Sequence, residues 1–564
     1  MSVKTKTFEA ANSYRPQILG GLVILCLSIV TIFPLLATFA LSVYADGTSL
    51  ISGFSLANWE QVLAENRAVL GTTVVYAFGA ATLTTTLGVF LAWAIARTNI
   101  PLRRTYYYVV FGMLFLPPVV WEAVWIRLLS TNGFYQILLP FDFHIYSLPG
   151  MILVQGIFML PLTLIVLMPM YKNIDNSLEE ASRINGGGVL QTTWSVTLPL
   201  MKPGILAAFL LVLVLSLGSL RVPLLIGQPG NIYVLPTVIY QDAINAPIQF
   251  GSAFVNATLL ILFAFPVFYL YKRVLGQTSR YETVGGEAFK QTPIELERRY
   301  RYGLSGVIGF TLLAIVITPV LVMVHGSLSP YLIPFHRVFT LEAPLALDQY
   351  RALVTDSSLH EAALNSLIAA GSATILTVGG AITISWIIYK SDLAFREAID
   401  YISFLPIALT AVSLSLGFIA IFLGIFPIGI YGTLWIIILA YLTRSLPTTI
   451  RVVAPSVQQL QNELFEAGVI SGASKLTRLR TILVPLIITT IHAIGAWRFA
   501  ILYKEFPISI LLEPSDFPLL APYIFELGVQ ANFPRISAIG VAITVFLAIV
   551  TVLIHRIPAS GGKL

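Results

Sequence analysis

Charge is scarce in this chain of 564 residues: Asp, Glu, Lys and Arg make up 11%, against 57% apolar residues. Soluble domains carry about 25% charge, so this supply excludes a string of soluble domains and also excludes disorder. Cysteine is almost missing. The single Cys26 rules out an internal disulfide framework and a cysteine-based zinc or iron–sulfur centre. Histidines 144, 325, 336, 360, 492 and 555 are scattered without ligand spacing. No G-x-x-x-x-G-K-[ST] phosphate loop occurs, and Gly561-Gly562-Lys563 has no strand and helix around it. There is no G-x-S-x-G elbow and no pair of carboxylates within one apolar run. These absences argue against an intrinsic enzyme with a bound cofactor. No basic face with interleaved aromatics remains for nucleic acid.

What the chain does have is long apolar runs and a mean hydropathy of +0.85. At about 20 residues per crossing, twelve runs are long enough to span a bilayer. Six lie near 18–43, 70–96, 107–129, 148–170, 203–226 and 252–272. Six more lie near 303–326, 363–389, 399–424, 429–450, 487–511 and 534–555. Lipid offers backbone groups no partners, so uninterrupted runs of this kind are expected to be helices. The first is too long for a signal peptide and lacks its small-residue cleavage site, so it is read as a retained span.

Lys and Arg orient these spans, since basic residues stay on the cytoplasmic side. With the N-terminus inside, 25 of the 33 basic residues fall in cytoplasmic segments, Arg97, Arg103, Arg104, Lys172, Lys390, Arg444 and Arg451 among them. Only Arg67, Arg337, Arg351 and Arg535 fall outside. Both termini are thus expected in the cytoplasm.

The charged stretch Lys272 to Arg301 separates two similar halves. LANWEQVL before the second run answers LDQYRALV before the eighth; Trp93 with Arg97 answers Trp386 with Lys390; Leu116–Pro117 answers Leu405–Pro406. An even number of spans per half gives both copies the same orientation, related by a pseudo-twofold axis along the membrane normal. A twelve-helix secondary transporter shares this layout, so a local feature must discriminate.

That feature is a repeated cytoplasmic loop. Residues 178–204 contain Glu180-Ala181-Ser182, then Gly186, then Val196-x-Leu198-Pro199. Residues 464–487 contain Glu466-Ala467-Gly468, then Gly472, then Ile482-x-Val484-Pro485. Every element is displaced by 286 residues. Small residues allow a partner surface to approach, Gly186 and Gly472 permit a turn between short helices, and Pro199 and Pro485 are expected just before the fifth and eleventh spans.

The pair of loops resembles the EAA loop, E-A-A-x-x-x-G-x9-I-x-L-P, of binding-protein-dependent ABC transporter permeases. The resemblance covers essentially the whole chain. It implies an all-α membrane protein of about 12 transmembrane helices, arranged as two parallel six-helix permease repeats like a type I ABC importer. The first permease domain would be 1–275, a cytoplasmic linker 276–302, and the second domain 303–564. It further implies a multi-pass inner-membrane protein whose partners are two copies of a cytoplasmic ABC ATPase, which uses the ATP, and an external solute-binding protein. Ser182, Gly468, Val196 and Val484 depart from the motif conservatively. The competing class is an ion-coupled secondary transporter.

Charges within or beside spans are the candidates for the translocation path. They are Glu122, Arg221, Arg498 and Glu505, with Arg127 and Lys504 nearby. Arg498 and Glu505, seven apart, are expected on one face of the eleventh span. Aligning SLRVPLLIG with YKEFPISIL sets Arg221 opposite Glu505. For Arg127, Arg221, Lys504 and Glu505, snorkelling to the outer interface is the alternative. RVPLLIGQPGNIYVLPTVIY (221–240), KEFPISILLEPSDFPLLAPYIFELG (504–528) and RYETVGGEAFK (280–290) resemble segments of fused ferric-iron importers, although Arg221 stands where Glu is usual. Related fused permeases for thiamine, polyamines and phosphonates share much of this pattern. No metal site on this chain is expected.

Overall fold

The computed structural model describes residues 3–45, 47, 53–131, 133–138, 143–278, 293–335, 337, 344–391, 393, 395–427 and 429–556. These residues are overwhelmingly helical, and the only β contacts among them are isolated bridges, Tyr44–Phe54 and Thr98–Ile294. Most of the expected linker, 279–292, lies outside the described residues.

Eight helices are each long and apolar enough to cross a membrane, and four bent pairs raise that to as many as twelve. In chain order the first part comprises α1 (Val3–Leu41), α2 (Arg67–Arg97), α3 (Arg103–Phe115), α4 (Pro118–Leu129), α5 (Leu148–Phe158), α6 (Leu160–Lys172), α7 (Asn176–Ile184), α8 (Val189–Leu217), α9 (Leu235–Ile244) and α10 (Phe250–Thr278). The second comprises α11 (Arg298–Ser327), α12 (Ser357–Lys390), α13 (Arg396–Ile407), α14 (Ala411–Ile425), α15 (Leu434–Gln458), α16 (Asn462–Ile470), α17 (Leu479–Leu486), α18 (Ile488–Leu502), α19 (Pro507–Leu512), α20 (Leu520–Val529) and α21 (Phe533–Arg556).

Four of the twelve apolar runs are not straight helices, contrary to the expectation from composition. The third bends by 110° between α3 and α4, the ninth by 106° between α13 and α14, the fourth by 47° and the eleventh by 74°. Pro117 and Pro118 explain the first bend. A proline bars the preceding residue from the helical region, and Leu116 is extended at ψ 132°. In the ninth run the new helix starts after Thr410, whose hydroxyl accepts from the Ser413 N–H. The helices after the two breaks begin at Pro118 and Ala411, so the breaks correspond four residues beyond the pairing read from Leu-Pro.

Pro199 does not precede its span but lies inside continuous helix, whereas Pro485 does stand just before the main helix of the eleventh run, two residues ahead of the bend at Ile487 between α17 and α18. A turn of π-helix precedes each, at Thr193–Thr197 and Leu479–Leu483, and a third, Leu313–Ile317, precedes Pro319. Proline has no N–H to donate and crowds the carbonyl four residues back; the wider π turn absorbs this without ending the helix.

Packing follows small residues, as expected where lipid is no less apolar than the partner helix. A Cβ on Gly88 of α2 would lie 2.3 Å from Thr163 of α6, and Thr84 donates to the Gly156 carbonyl at 2.8 Å. The first helices of the two parts are exchanged. α1 packs on α13 and α14, where a Cβ on Gly417 would stand 2.5 Å from the Pro34 carbonyl. α11 packs on α3, α4 and α21. The expected linker is not loose throughout. Ile294 donates to the Arg97 carbonyl at 2.7 Å, Leu296 donates to Asn99 Oδ1 at 3.1 Å, and helix resumes at Arg298.

Candidate functional site

The two EAA segments fold alike. α7 and α16 are both nine-residue helices whose bounds differ by 286 residues, as do their π turns. Each ends in the same cap. Gly186 and Gly472 are left-handed, at φ +84° and +74°. Gly186 donates to Arg183 O and Gly187 to Ser182 O, while Gly472 donates to Val469 O and Ala473 to Gly468 O. This is the Schellman arrangement, which glycine enters without a Cβ penalty.

Glu180, Ala181, Glu466 and Ala467 are exposed, as are Pro199 and Pro485; Val196, Leu198, Ile482 and Val484 are half-buried. The motif departures have local causes. Ser182 hydrogen-bonds Thr192 at 2.9 Å. At the matching place a Cβ on Gly468 would lie 3.0 Å from Arg478, which replaces Thr192. Each helix turns a bare apolar residue outward at the same position, Ile184 at 85% exposure and Ile470 at 88%.

Sequence reasoning missed the residue that holds α7 in place. Glu179, next to the motif glutamate, faces inward, pairs with Arg97 at the end of α2, and accepts from Thr197 Oγ1 at 2.7 Å. The corresponding anchor of α16 differs. Lys390 donates to Leu460 O at 2.6 Å and Asn462 Oδ1 at 2.9 Å, and the buried Phe465 stands where Glu179 does. The matched Arg97 and Lys390 were visible in the sequence, but not their partners.

The second group of predicted residues lies around the broken spans. Glu122 of α4 is fully buried and accepts from Arg221 Nε at 2.7 Å; the guanidinium also sits 4.2 Å above the Phe158 ring. Arg221 and Glu505, at equivalent places two residues before Pro223 and Pro507, thus have different partners. Glu505 does not share a helix face with Arg498, because α18 ends at Leu502 and Pro507 starts a new helix. Instead it accepts from Ile508 N at 3.0 Å and Ser509 N at 3.2 Å, capping α19. Arg498 bonds Thr448 and lies 4.3 Å over the Trp497 ring.

Lys504 is buried and donates to Leu116 O at 3.0 Å and to Leu114 O, saturating carbonyls freed by the α3–α4 break. Arg127 bonds Ile333 O and covers the Phe335 ring at 4.4 Å. Arg444, read as cytoplasmic, lies within α15 and donates to Leu409 O at 2.9 Å, at the second break. Its place inside the apolar run 429–450 was the available signal. The two sharpest breaks thus each have bared carbonyls capped by a basic side chain from elsewhere in the fold, Lys504 from the turn between α18 and α19 and Arg444 from α15.

A bundle of up to twelve spans, with two short capped helices at matched places and broken spans pinned by buried cations, defines a membrane transport permease. Residues 10–280 match the family of binding-protein-dependent transport system inner membrane components. That segment, just under half of the chain, is thus similar to ABC-type permeases of the inner membrane, in keeping with the several apolar helices. The chain is 26% identical over 413 residues to the putative ferric transport system permease protein FbpB 1 of Haemophilus influenzae, covering 70% of this chain and 63% of that one. The match therefore spans less than two thirds of that relative. It is 26% identical over 495 residues to the ferric transport system permease protein FbpB of Actinobacillus pleuropneumoniae, covering 84% and 70%. The sulfate transport system permease protein CysW of Synechocystis is 26% identical over 263 residues, which are 46% of this chain and 91% of that one.

Proposed function

We propose that this chain is a fused pair of permease units forming the translocation pathway of an ATP-driven importer for ferric iron. The observation that carries the coupling role is the matched pair α7 and α16, each capped identically and each presenting an unpartnered apolar residue, Ile184 or Ile470, beside an exposed glutamate. On this reading Glu180, Ala181, Ser182 and Gly186, with Glu466, Ala467, Gly468 and Gly472, meet a cytoplasmic ATPase pair. The π-turned helices that carry Pro199 and Pro485 pass its movement into α8 and α18.

Two repeats, 1–275 and 303–564, are supported by the constant 286-residue offset. They are also supported by the fit of CysW, over nine tenths of its own length, to under half of this chain. Cytoplasmic termini follow from the basic-residue asymmetry. An external binding protein delivers solute, and ATP is bound and hydrolysed by the ATPase, not by this chain. Glu122, Arg221, Arg498 and Glu505 are assigned to the pathway between the units. Ferric iron rests on the named substrates of the two long-range relatives.

Glu180→Arg with Glu466→Arg should abolish co-purification of the cytoplasmic ATPase, while membrane insertion and gel-filtration behaviour stay normal. Undiminished co-purification would remove the coupling role. Vesicles loaded with ATP should take up radiolabelled ferric iron from its binding protein in the presence of a protonophore. Uptake that needs a proton gradient and survives ATP depletion would instead indicate an ion-coupled transporter.

A further inference from the structure

We propose that the base of α3 holds the phosphate headgroup of an anionic phospholipid. A cavity of about 280 Å³ opens where the ends of α2 and α6 meet the start of α3. Arg103, Arg104 and Lys172 supply its positive wall and Tyr107 and Tyr108 its aromatic wall, while Ile95 and Met168 give it an apolar floor. No carboxylate lines it. Its volume is close to the lower end of small-molecule sites, enough for a phosphoglycerol group.

The helix start dictates this arrangement. Leu102 is left-handed at φ +60°, which turns the chain sharply from Pro101 into α3. Arg103 with Tyr107, and Arg104 with Tyr108, then stand four residues apart and share a face. Tyr106, on the opposite side, is buried and hydrogen-bonded to Ser305 O at 2.9 Å, fixing which face looks outward. Among the described residues neither Arg103 nor Arg104 forms an ion pair. Tyr108 is 68% exposed at a span end, the place where tyrosine rings sit at headgroup level. Basic pockets between membrane helices are suited to lipid phosphates.

The second part of the chain provides an internal comparison. There Phe395 is likewise left-handed, at φ +66°, and Arg396 likewise begins a helix. Yet Glu397 stands where Arg104 does and Asp400 where Tyr107 does, and Asp400 is taken by Arg451 at 3.3 Å. A topology signal would need only net positive charge. The carboxylate-free cavity at one of two equivalent corners marks a site for an anion. Its apolar floor, facing the span ends, marks that anion as lipid-borne.

The test uses the full chain in nanodiscs of phosphatidylcholine with increasing phosphatidylglycerol. Retained lipid is read by native mass spectrometry, and thermal stability is followed in parallel. Wild-type protein should retain phosphatidylglycerol in preference to phosphatidylcholine, and Arg103→Gln with Arg104→Gln should weaken that retention roughly 30-fold. Arg103→Lys with Arg104→Lys should keep most of it, and Arg396→Gln should leave it unchanged, which separates loss of the site from loss of the fold. Equal retention by wild type and the double glutamine variant would overturn the proposal. So would glycerol 3-phosphate binding as tightly as the intact lipid, which would indicate a soluble anion. Loss of ATPase co-purification in the glutamine variant with lipid retention intact would also overturn it, assigning the cations to a protein partner.

Discussion

Arg97 and Glu179 join the end of α2 to α7 through an ion pair whose side chains are only 2% and 5% exposed. Breaking a buried pair by removing one partner leaves an unpaired charge, at a cost of about 3–5 kcal/mol, whereas an apolar pair of similar volume is often tolerated. Arg97→Gln and Glu179→Gln should each lower the thermal stability of the purified protein by an amount in that range. Arg97→Met with Glu179→Leu should recover most of it. Two small, additive losses would show that the pair is not coupled as its geometry indicates.

The left-handed caps of α7 and α16 give a second expectation. A Cβ at Gly186 or Gly472 would meet nothing within 4 Å, so alanine there would suffer only backbone strain, about 1–2 kcal/mol. Gly186→Ala and Gly472→Ala should therefore destabilise to similar extents, and asparagine, which tolerates this region better, should cost less. Chemical denaturation followed by tryptophan fluorescence distinguishes these substitutions.

Lys504 and Arg444 each saturate carbonyls at a helix break. Hydrogen bonds to charged groups contribute about 1.5–3 kcal/mol. Lys504→Met should lose about that much and increase hydrogen exchange in the peptide around residues 113–118, with Arg444→Met doing the same near 405–411. Unchanged exchange at both breaks would mean that the prolines and threonine cap hold the bends unaided.

Asp356 caps α12 and ties it to α20 and α21 through Tyr523 and Arg535. Burial alone would raise its carboxyl. Hydrogen bonds from Tyr523, the Leu359 N–H and Arg535 outweigh that and hold it below the ordinary carboxylate range. The folded value lies below the unfolded one of about 3.9, so the stabilisation is complete above that pH and fades as pH falls through the folded value. The melting-temperature gap between wild type and Asp356→Asn should stay constant from about pH 8 to 5 and begin to narrow below about pH 4. A gap that does not narrow at all as the pH falls below about 4 would exclude this linkage.

The helical class, all twelve apolar runs and both capped EAA helices were legible because each rests on local signals: apolar length, glycine at a left-handed cap, acidic residues before it. The prolines were legible too, but not what they would do. Pro117–Pro118 breaks its span by 110° while Pro199 is carried inside continuous helix after a π turn, and Pro485 follows a matching π turn yet stands two residues before a 74° bend, so the outcome depends on packing against other helices. Glu179 was hidden beside Glu180, since one carboxylate turned inward and the other outward look alike in sequence. Pairings such as Arg221 with Glu122, 99 residues apart, and Lys504 with Leu116, 388 apart, are long-range and leave no periodic trace.

The exchange of first helices sets an order of events during synthesis. α1 emerges first, but its seat on α13 and α14 is made only after more than 350 further residues have been threaded into the bilayer. Until then α1 has only α10 of its own part for a neighbour and otherwise faces lipid. It is suited to waiting: only 28% of its apolar window is buried in the finished bundle, against 67% for α15. α11 is likewise 28% buried, although part of its seat, α3 and α4, is already in place when it arrives. The spans least able to stand alone are those whose neighbours are inserted close to them in time, so the sequence order itself spares the nascent chain from holding a polar span unaccompanied.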